Sequence, residues 1–127
     1  MAVVDADAPD VKATLAALAA ALLVVGCGCL GHRASEWRAG RQIYTLHCSS
    51  CHQPNGRGYD DVYPPLAGNP IVRLSDPEPV IDVVVRGRGS MPPFGEELTP
   101  TQIADVVTYI RTTWGNHASR VDPRQAG

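Results

Sequence analysis

Apolar residues fall into one long run near the N-terminus and three shorter segments with helical spacing. The run covers residues 13–31 and contains no charged residue and no proline. As a helix it would extend about 28 Å at ~1.5 Å per residue, close to the ~30 Å hydrocarbon core of a bilayer. The pattern predicts residues 1–33 as an N-terminal tail and membrane anchor or signal segment, and residues 34–127 as a separate domain.

Two of the shorter segments begin with residues typical of helix starts. The first covers residues 35–47, with Ser35 as a possible cap. The second opens with Asp76 as its predicted N-cap and Pro77 at the first helical position. Gly87 is predicted to end it, because glycine adopts the left-handed conformation of many helix C-termini.

The third segment carries the strongest start signal. Thr99 is the predicted N-cap, Pro100 follows at the first position, and Gln102 completes a capping box. We expect the helix to end at Gly115 and the remaining residues to form a polar tail. The apolar positions with helical spacing are Ile103, Val106, Val107, Ile110 and Trp114.

Composition and charge give no indication of a nucleic-acid-binding protein. The chain has 127 residues, 44% of them hydrophobic, and a formal net charge of −2. That balance does not indicate a nucleic-acid partner. After residue 33, nine arginines stand against ten acidic residues, so the totals give no excess of either sign.

The motif that carries the chemistry is Cys48-Ser49-Ser50-Cys51-His52. C-x-x-C-H is the attachment signature of c-type haem. On one helical turn, both thiols can bond one haem, and the histidine becomes the proximal iron ligand. A zinc site needs about four ligands, and the other cysteines, Cys27 and Cys29, lie far upstream. A thioredoxin-like pair would require a βαβ pattern, which is absent from the sequence.

Met91 is the predicted second axial ligand of the iron. It is the only methionine besides Met1, and Pro92 and Pro93 follow it in a glycine- and proline-rich loop. A thioether is a soft ligand suited to haem iron, and a rigid loop can position it; the alternative is a core-filling side chain. The other candidate ligands are His32, His47 and His117, and His47 is interpreted as a solvated neighbour of the motif.

The N-terminal run allows three interpretations: an uncleaved membrane anchor, a cleaved secretory signal and a lipoprotein signal. We favour the anchor. The residues before the run are acidic, where those of a secretory signal should be basic. Val24-Val25-Gly26-Cys27 also resembles a bacterial lipobox, in which Cys27 would be lipidated. The arginines after the run favour a cytoplasmic domain under the positive-inside rule. Haem attachment to C-x-x-C-H resembles the chemistry of the bacterial periplasm. We give this argument more weight than the charge distribution and expect the domain to face the periplasm.

In combination, the motifs from Ser35 to about Asn116 resemble a class I cytochrome c. The matching features are Gly40 and Tyr44, Cys48-x-x-Cys51-His52, residues 64–68, residues 91–94, and Val106 and Tyr109. The resemblance implies an all-α fold, with three main helices around one haem c attached through Cys48 and Cys51. It implies that Gly40 and Tyr44 meet Val106 and Tyr109 where the first and last helices cross. It also implies that Pro64 accepts a hydrogen bond from His52, and that Leu66 presses on the haem.

A closer likeness is to the haem units of cytochrome subunits in membrane-bound bacterial alcohol and related dehydrogenases. It rests on residues 66–70, 91–95 and 109–116. Those subunits usually carry three haem units, whereas this sequence has one C-x-x-C-H motif.

The expected function is one-electron transfer at a bacterial inner membrane, with the haem domain facing the periplasm and His52 and Met91 on the iron. The carrier is not itself an enzyme, although it can be a subunit of a larger oxidoreductase. Expected donors are a dehydrogenase or a quinol-oxidising complex, and expected acceptors a terminal oxidase or another cytochrome. The alternative is a haem enzyme or gas sensor from whose iron Met91 departs.

Overall fold

Helices joined by turn-rich loops make up the part of the chain that the computed structural model describes, residues 31–60 and 62–127. Residues 31–47 are helical and are called α1; they are followed by α2 (Ser49–His52), α3 (Glu78–Arg86), α4 (Pro100–Thr112) and a 3₁₀ helix (Pro123–Gln125). The described residues contain only isolated β-bridges and no strand. The all-helical prediction is therefore confirmed for this part of the chain.

The predicted membrane helix over residues 13–31 lies almost entirely outside the described residues. Among the residues that are described, no helix is both long enough and apolar enough to cross a bilayer. Ala34–Gly127 forms one compact unit, and it contains the whole C-x-x-C-H motif.

Helix boundaries agree closely with the capping signals, with three corrections. Ser35 lies inside α1 and is not its cap, because residues 31–34 are already helical. Helix α3 begins one residue later than predicted: Pro77 is its N-cap, while Asp76 Oδ1 accepts a hydrogen bond from Glu78 N at 3.0 Å. Helix α4 ends at Thr112, before the predicted stop at Gly115.

The capping box of α4 is confirmed. The Thr99 hydroxyl accepts from the Gln102 backbone N–H, and the Gln102 side chain accepts from the Thr99 N–H at 2.9 Å. Two otherwise unpaired donors at the helix start are thereby satisfied. Gly87 caps the C-terminus of α3 with a φ of 74°, as predicted.

Helices α1 and α4 are in close contact at Gly40. A Cβ there would overlap the carbonyl of Asp105 and the Cβ of Tyr109, so only glycine permits this contact. Four residues along, Tyr44 packs on Tyr109 with ring centroids 5.4 Å apart. The predicted meeting of Gly40 and Tyr44 with Tyr109 is thus present, and Val106 is buried in the same core.

The segment after α4 packs against the core, contrary to the expected polar tail. Val121 is buried, and its backbone N–H donates to the Thr108 hydroxyl of α4 at 2.9 Å. Asn116 is fully buried as well. This segment therefore closes one side of the core.

Candidate haem-binding site

The residues predicted to form the site all line a single cavity of about 290 Å³. We call it the haem cavity. The predicted residues on its wall are Cys48, Cys51, His52, Pro64, Leu66 and Met91. Most of the remaining wall is apolar, and its members include Val72, Val80, Val84, Phe94 and Ile110.

The motif side of the haem cavity is built where α1 gives way to α2. Cys48 N still donates to Tyr44 O at 2.9 Å, and His52 N donates to Cys48 O at 2.9 Å. One helical turn therefore carries both cysteines and His52. Burial, together with the neighbouring Cys51, raises the pKa of the Cys48 thiol to about 12 in the chain alone.

His52 is held by its ring nitrogen Nδ1, which lies 3.0 Å from the carbonyl oxygen of Pro64. A carbonyl oxygen only accepts, so Nδ1 carries the proton and donates it. In the neutral ring, the other nitrogen, Nε2, then carries the lone pair that a metal ligand needs. His52 is buried, so this tautomer is fixed by the fold.

The loop that brings Pro64 and Leu66 to the cavity depends on a long-range contact with Asn116. Asn116 Nδ2 donates to the carbonyls of Leu66 at 3.0 Å and Ile110 at 2.9 Å, and its Oδ1 accepts from Gly68 N at 2.9 Å. The side chain thus fastens the 66–68 turn to the end of α4. Helical spacing gave no sign of this role, although Asn116 lies in the stretch that resembled dehydrogenase cytochromes.

Met91 approaches from the loop after α3. Its backbone pairs with Arg88 in a tight turn, with N···O distances of 3.0 and 3.1 Å. Gly87 is required there, because a Cβ would overlap the backbone of residues 91–93 and φ is 74°. Beyond the prolines, Phe94 N donates to Val84 O at 2.9 Å, so the loop is fixed to α3 at both ends.

His47 is a partly exposed neighbour of the motif that also makes two contacts across the fold. Its Nδ1 lies 3.3 Å from Glu97 Oε1, and its ring packs edge-on against Phe94 with centroids 5.9 Å apart. These contacts link the end of α1 to the segment after Met91. Neither contact follows from the local sequence, because Glu97 is distant along the chain.

The donor set of the haem cavity fits a haem c. Two thiols and an imidazole whose Nδ1 is bound to Pro64 O line the cavity, the Met91 thioether comes from another loop, and the lining is largely apolar. Together with the helical fold, this set defines a c-type cytochrome, an electron-transfer protein with a covalently attached haem.

Comparison with known proteins identifies the family. Residues 35–110 match the family described as cytochrome c oxidase, cbb3-type, subunit III, and the chain belongs to it. The cytochrome c subunit of a quinone-type alcohol dehydrogenase from Gluconacetobacter polyoxogenes is 38% identical over 91 residues, covering 62% of this chain and 19% of the relative. The gluconate 2-dehydrogenase cytochrome c subunit of Pantoea cypripedii is 32% identical over 98 residues, covering 68% and 22%.

A relative of more similar length matches too. Cytochrome c-552 of Thermus thermophilus is 32% identical over 102 residues, covering 68% of each chain. By contrast, the chain spans about a fifth of the length of the two dehydrogenase subunits. The expected likeness to cytochrome subunits of alcohol and related dehydrogenases is confirmed.

Proposed function

We propose that this cytochrome is a membrane-tethered monohaem carrier that transfers single electrons on the periplasmic side of a bacterial inner membrane. It acts as a subunit of an oxidoreductase or as its immediate electron acceptor. The observation that carries the proposal is the meeting of His52 and Met91 at one cavity together with both cysteines. The sequence has one C-x-x-C-H motif, hence one haem.

In this proposal each cavity residue has a distinct task. Cys48 and Cys51 would form the thioether bonds to the haem, and His52 Nε2 and the Met91 sulfur would be the two protein ligands of its iron. Pro64 supports His52, because the hydrogen bond to Nδ1 at 3.0 Å orients the ring and makes it more basic. Leu66, anchored through its carbonyl by Asn116, presses on the haem face.

The arrangement suits electron transfer better than substrate chemistry. When bound, the haem iron supplies a ferric–ferrous couple that a methionine ligand shifts to higher potential. The Pro64 bond to His52 and the doubly anchored Met91 loop would hold both iron ligands in place, which would leave no ligand position for a substrate. A rigid site also needs little rearrangement between the two oxidation states.

The proposed partners are redox proteins. The similarity to a dehydrogenase cytochrome subunit and the cbb3-type family assignment support a dehydrogenase or quinol-oxidising complex as donor. A terminal oxidase or another cytochrome is the proposed acceptor. The tether is proposed from the apolar run at residues 13–31.

Met91 provides the central test. Ferric wild-type protein should show the weak charge-transfer band of sulfur ligation at ~700 nm, and Met91→Ala should abolish it and lower the reduction potential. Ferrous wild-type protein should bind carbon monoxide slowly or not at all at neutral pH. Rapid binding, or a Met91→Ala spectrum identical to wild type, would refute the closed carrier and favour a gas sensor or haem enzyme.

A further inference from the structure

Arg111 is a buried cation that the proposed site does not use. Its side chain lies on α4 and has an exposed fraction of 0%. It makes hydrogen bonds with four neutral acceptors: Ser119 O at 2.9 Å, Ser119 Oγ at 2.9 Å, Val72 O at 3.0 Å and Ser75 O at 3.4 Å. Burying a charge on neutral groups is costly, so this arginine calls for an explanation beyond packing.

The guanidinium lies next to the wall of the haem cavity. Val72, whose carbonyl accepts from Arg111 Nη1, is also a lining residue of the cavity. Ile110, the preceding residue on α4, lines it as well. A single residue therefore separates the positive charge from the space that the haem fills.

The charge persists at neutral pH. Burial lowers the pKa of Arg111, and the negative charge of Asp76 opposes that shift. An arginine starts from so high a pKa that it stays protonated under physiological conditions. Because the group is shut off from water, salt and solvent screen its field weakly.

We infer that Arg111 acts as a fixed positive charge that raises the reduction potential of the haem. On reduction, ferric iron gains one electron and the net positive charge of the site falls by one. A nearby buried cation therefore destabilises the ferric state more than the ferrous state. The inference rests on the proposed one-electron function, and it assigns to Arg111 an electrostatic task in addition to its hydrogen bonds.

The test is a redox titration of the full-length holoprotein, comparing Arg111→Met with Arg111→Lys at low ionic strength. Arg111→Met should lower the equilibrium constant for reduction by about tenfold, whereas Arg111→Lys, which keeps the charge, should stay near wild type. Arg124→Met is the matched control, because that side chain is 89% exposed, and it should leave the constant unchanged. Equal shifts in the two Arg111 variants, or no shift in either, would overturn the inference.

Asp76→Asn tests the same field without touching the buried side chain. The asparagine keeps an oxygen for the bond to Glu78 N and removes the charge that partly offsets Arg111, so the potential should rise. An unchanged or lower potential contradicts the inference even if Arg111→Met does not fold. The ~700 nm band of the wild-type protein distinguishes failure of the Arg111 proposal from failure of the proposed function. If the band is present and the variants have unchanged potentials, only the role of Arg111 is refuted. If the band is absent, the proposed function is refuted.

Discussion

The hydroxyl of Tyr44 donates a hydrogen bond of 2.6 Å to the backbone carbonyl of Gln53. Gln53 directly follows His52 and has a φ of 63°, in the left-handed region that non-glycine residues seldom occupy. Its side chain in turn donates to Gly58 O at 2.5 Å. A buried tyrosine of α1 thus fixes the point at which the chain leaves the motif and turns toward Pro64.

The burial of the Tyr44 hydroxyl gives the fold an alkaline limit. Burial, followed by the nearby Cys48 and Tyr109, raises the pKa of Tyr44 above its ordinary value of 10.0. The unfolded chain therefore loses the tyrosine proton first, and stability falls once the pH rises above about 10.

Tyr44→Phe should lose about 1 kcal/mol of stability at neutral pH, because the hydrogen bond is gone. The free energy of unfolding of this variant should also fall less steeply with pH than that of wild type above pH ~10. Denaturant unfolding across this pH range measures both effects, with the half-exposed Tyr59 changed to phenylalanine as control. If the stabilities of wild type and Tyr44→Phe fell equally steeply at alkaline pH, Tyr44 would not be the cause of the alkaline loss of stability.

Covalent attachment should depend on both motif cysteines. Cys48→Ala combined with Cys51→Ala should abolish haem staining on a denaturing gel, because no thioether remains. Ser50→Ala is the matched control, since that exposed side chain lies between the two cysteines. Haem extractable from wild type by acid acetone would show that the attachment is not covalent.

Gly40→Ala should destabilise the domain by about 1–3 kcal/mol. The added Cβ would overlap the carbonyl of Asp105, so α1 and α4 would have to separate. Gly31→Ala is the control, because a Cβ there meets nothing within 4 Å. Equal unfolding midpoints for the two variants would show that the helix crossing tolerates a side chain.

The membrane tether predicts a particular fractionation behaviour. The native protein should sediment with membranes and resist high-salt washing, because an apolar attachment is insensitive to ionic strength. A variant without residues 1–33, exported by a foreign signal, should be soluble with an unchanged haem spectrum and support less respiratory electron flow at equal abundance. Full-length protein found in the soluble periplasm with a trimmed N-terminus would refute the tether.

Features with a local cause were predictable from the sequence. The capping box at Thr99 and the glycine stop at Gly87 use residues within a few positions, and the structure has both. The six expected site residues line one cavity. They could be named from the sequence because three belong to the C-x-x-C-H motif and the others follow from the proline-bounded Met91 loop and the family resemblance. Ser35 was misassigned, since a good cap residue also fits the interior of a helix that starts earlier.

Long-range polar contacts were not predictable. Asn116 donates to Leu66 O and Arg111 donates to Val72 O, two acceptors in loops far away along the chain, whereas helical periodicity reports only which positions are apolar. His47 shows the same limit, because its partner Glu97 lies in the segment just before α4. Such contacts depend on the tertiary fold, and they decide how the walls of the haem cavity are held.

The reach of Asn116 implies an order of assembly. Its partner Leu66 lies 50 residues earlier, so the walls of the cavity close only after the chain through Asn116 has been made. Once they close, burial and the neighbouring Cys51 raise the pKa of the partly buried Cys48 thiol to about 12, which leaves almost no reactive thiolate at neutral pH. We therefore expect maturation to proceed on an open chain: the prosthetic group is joined first, and closure of the fold then seals it in.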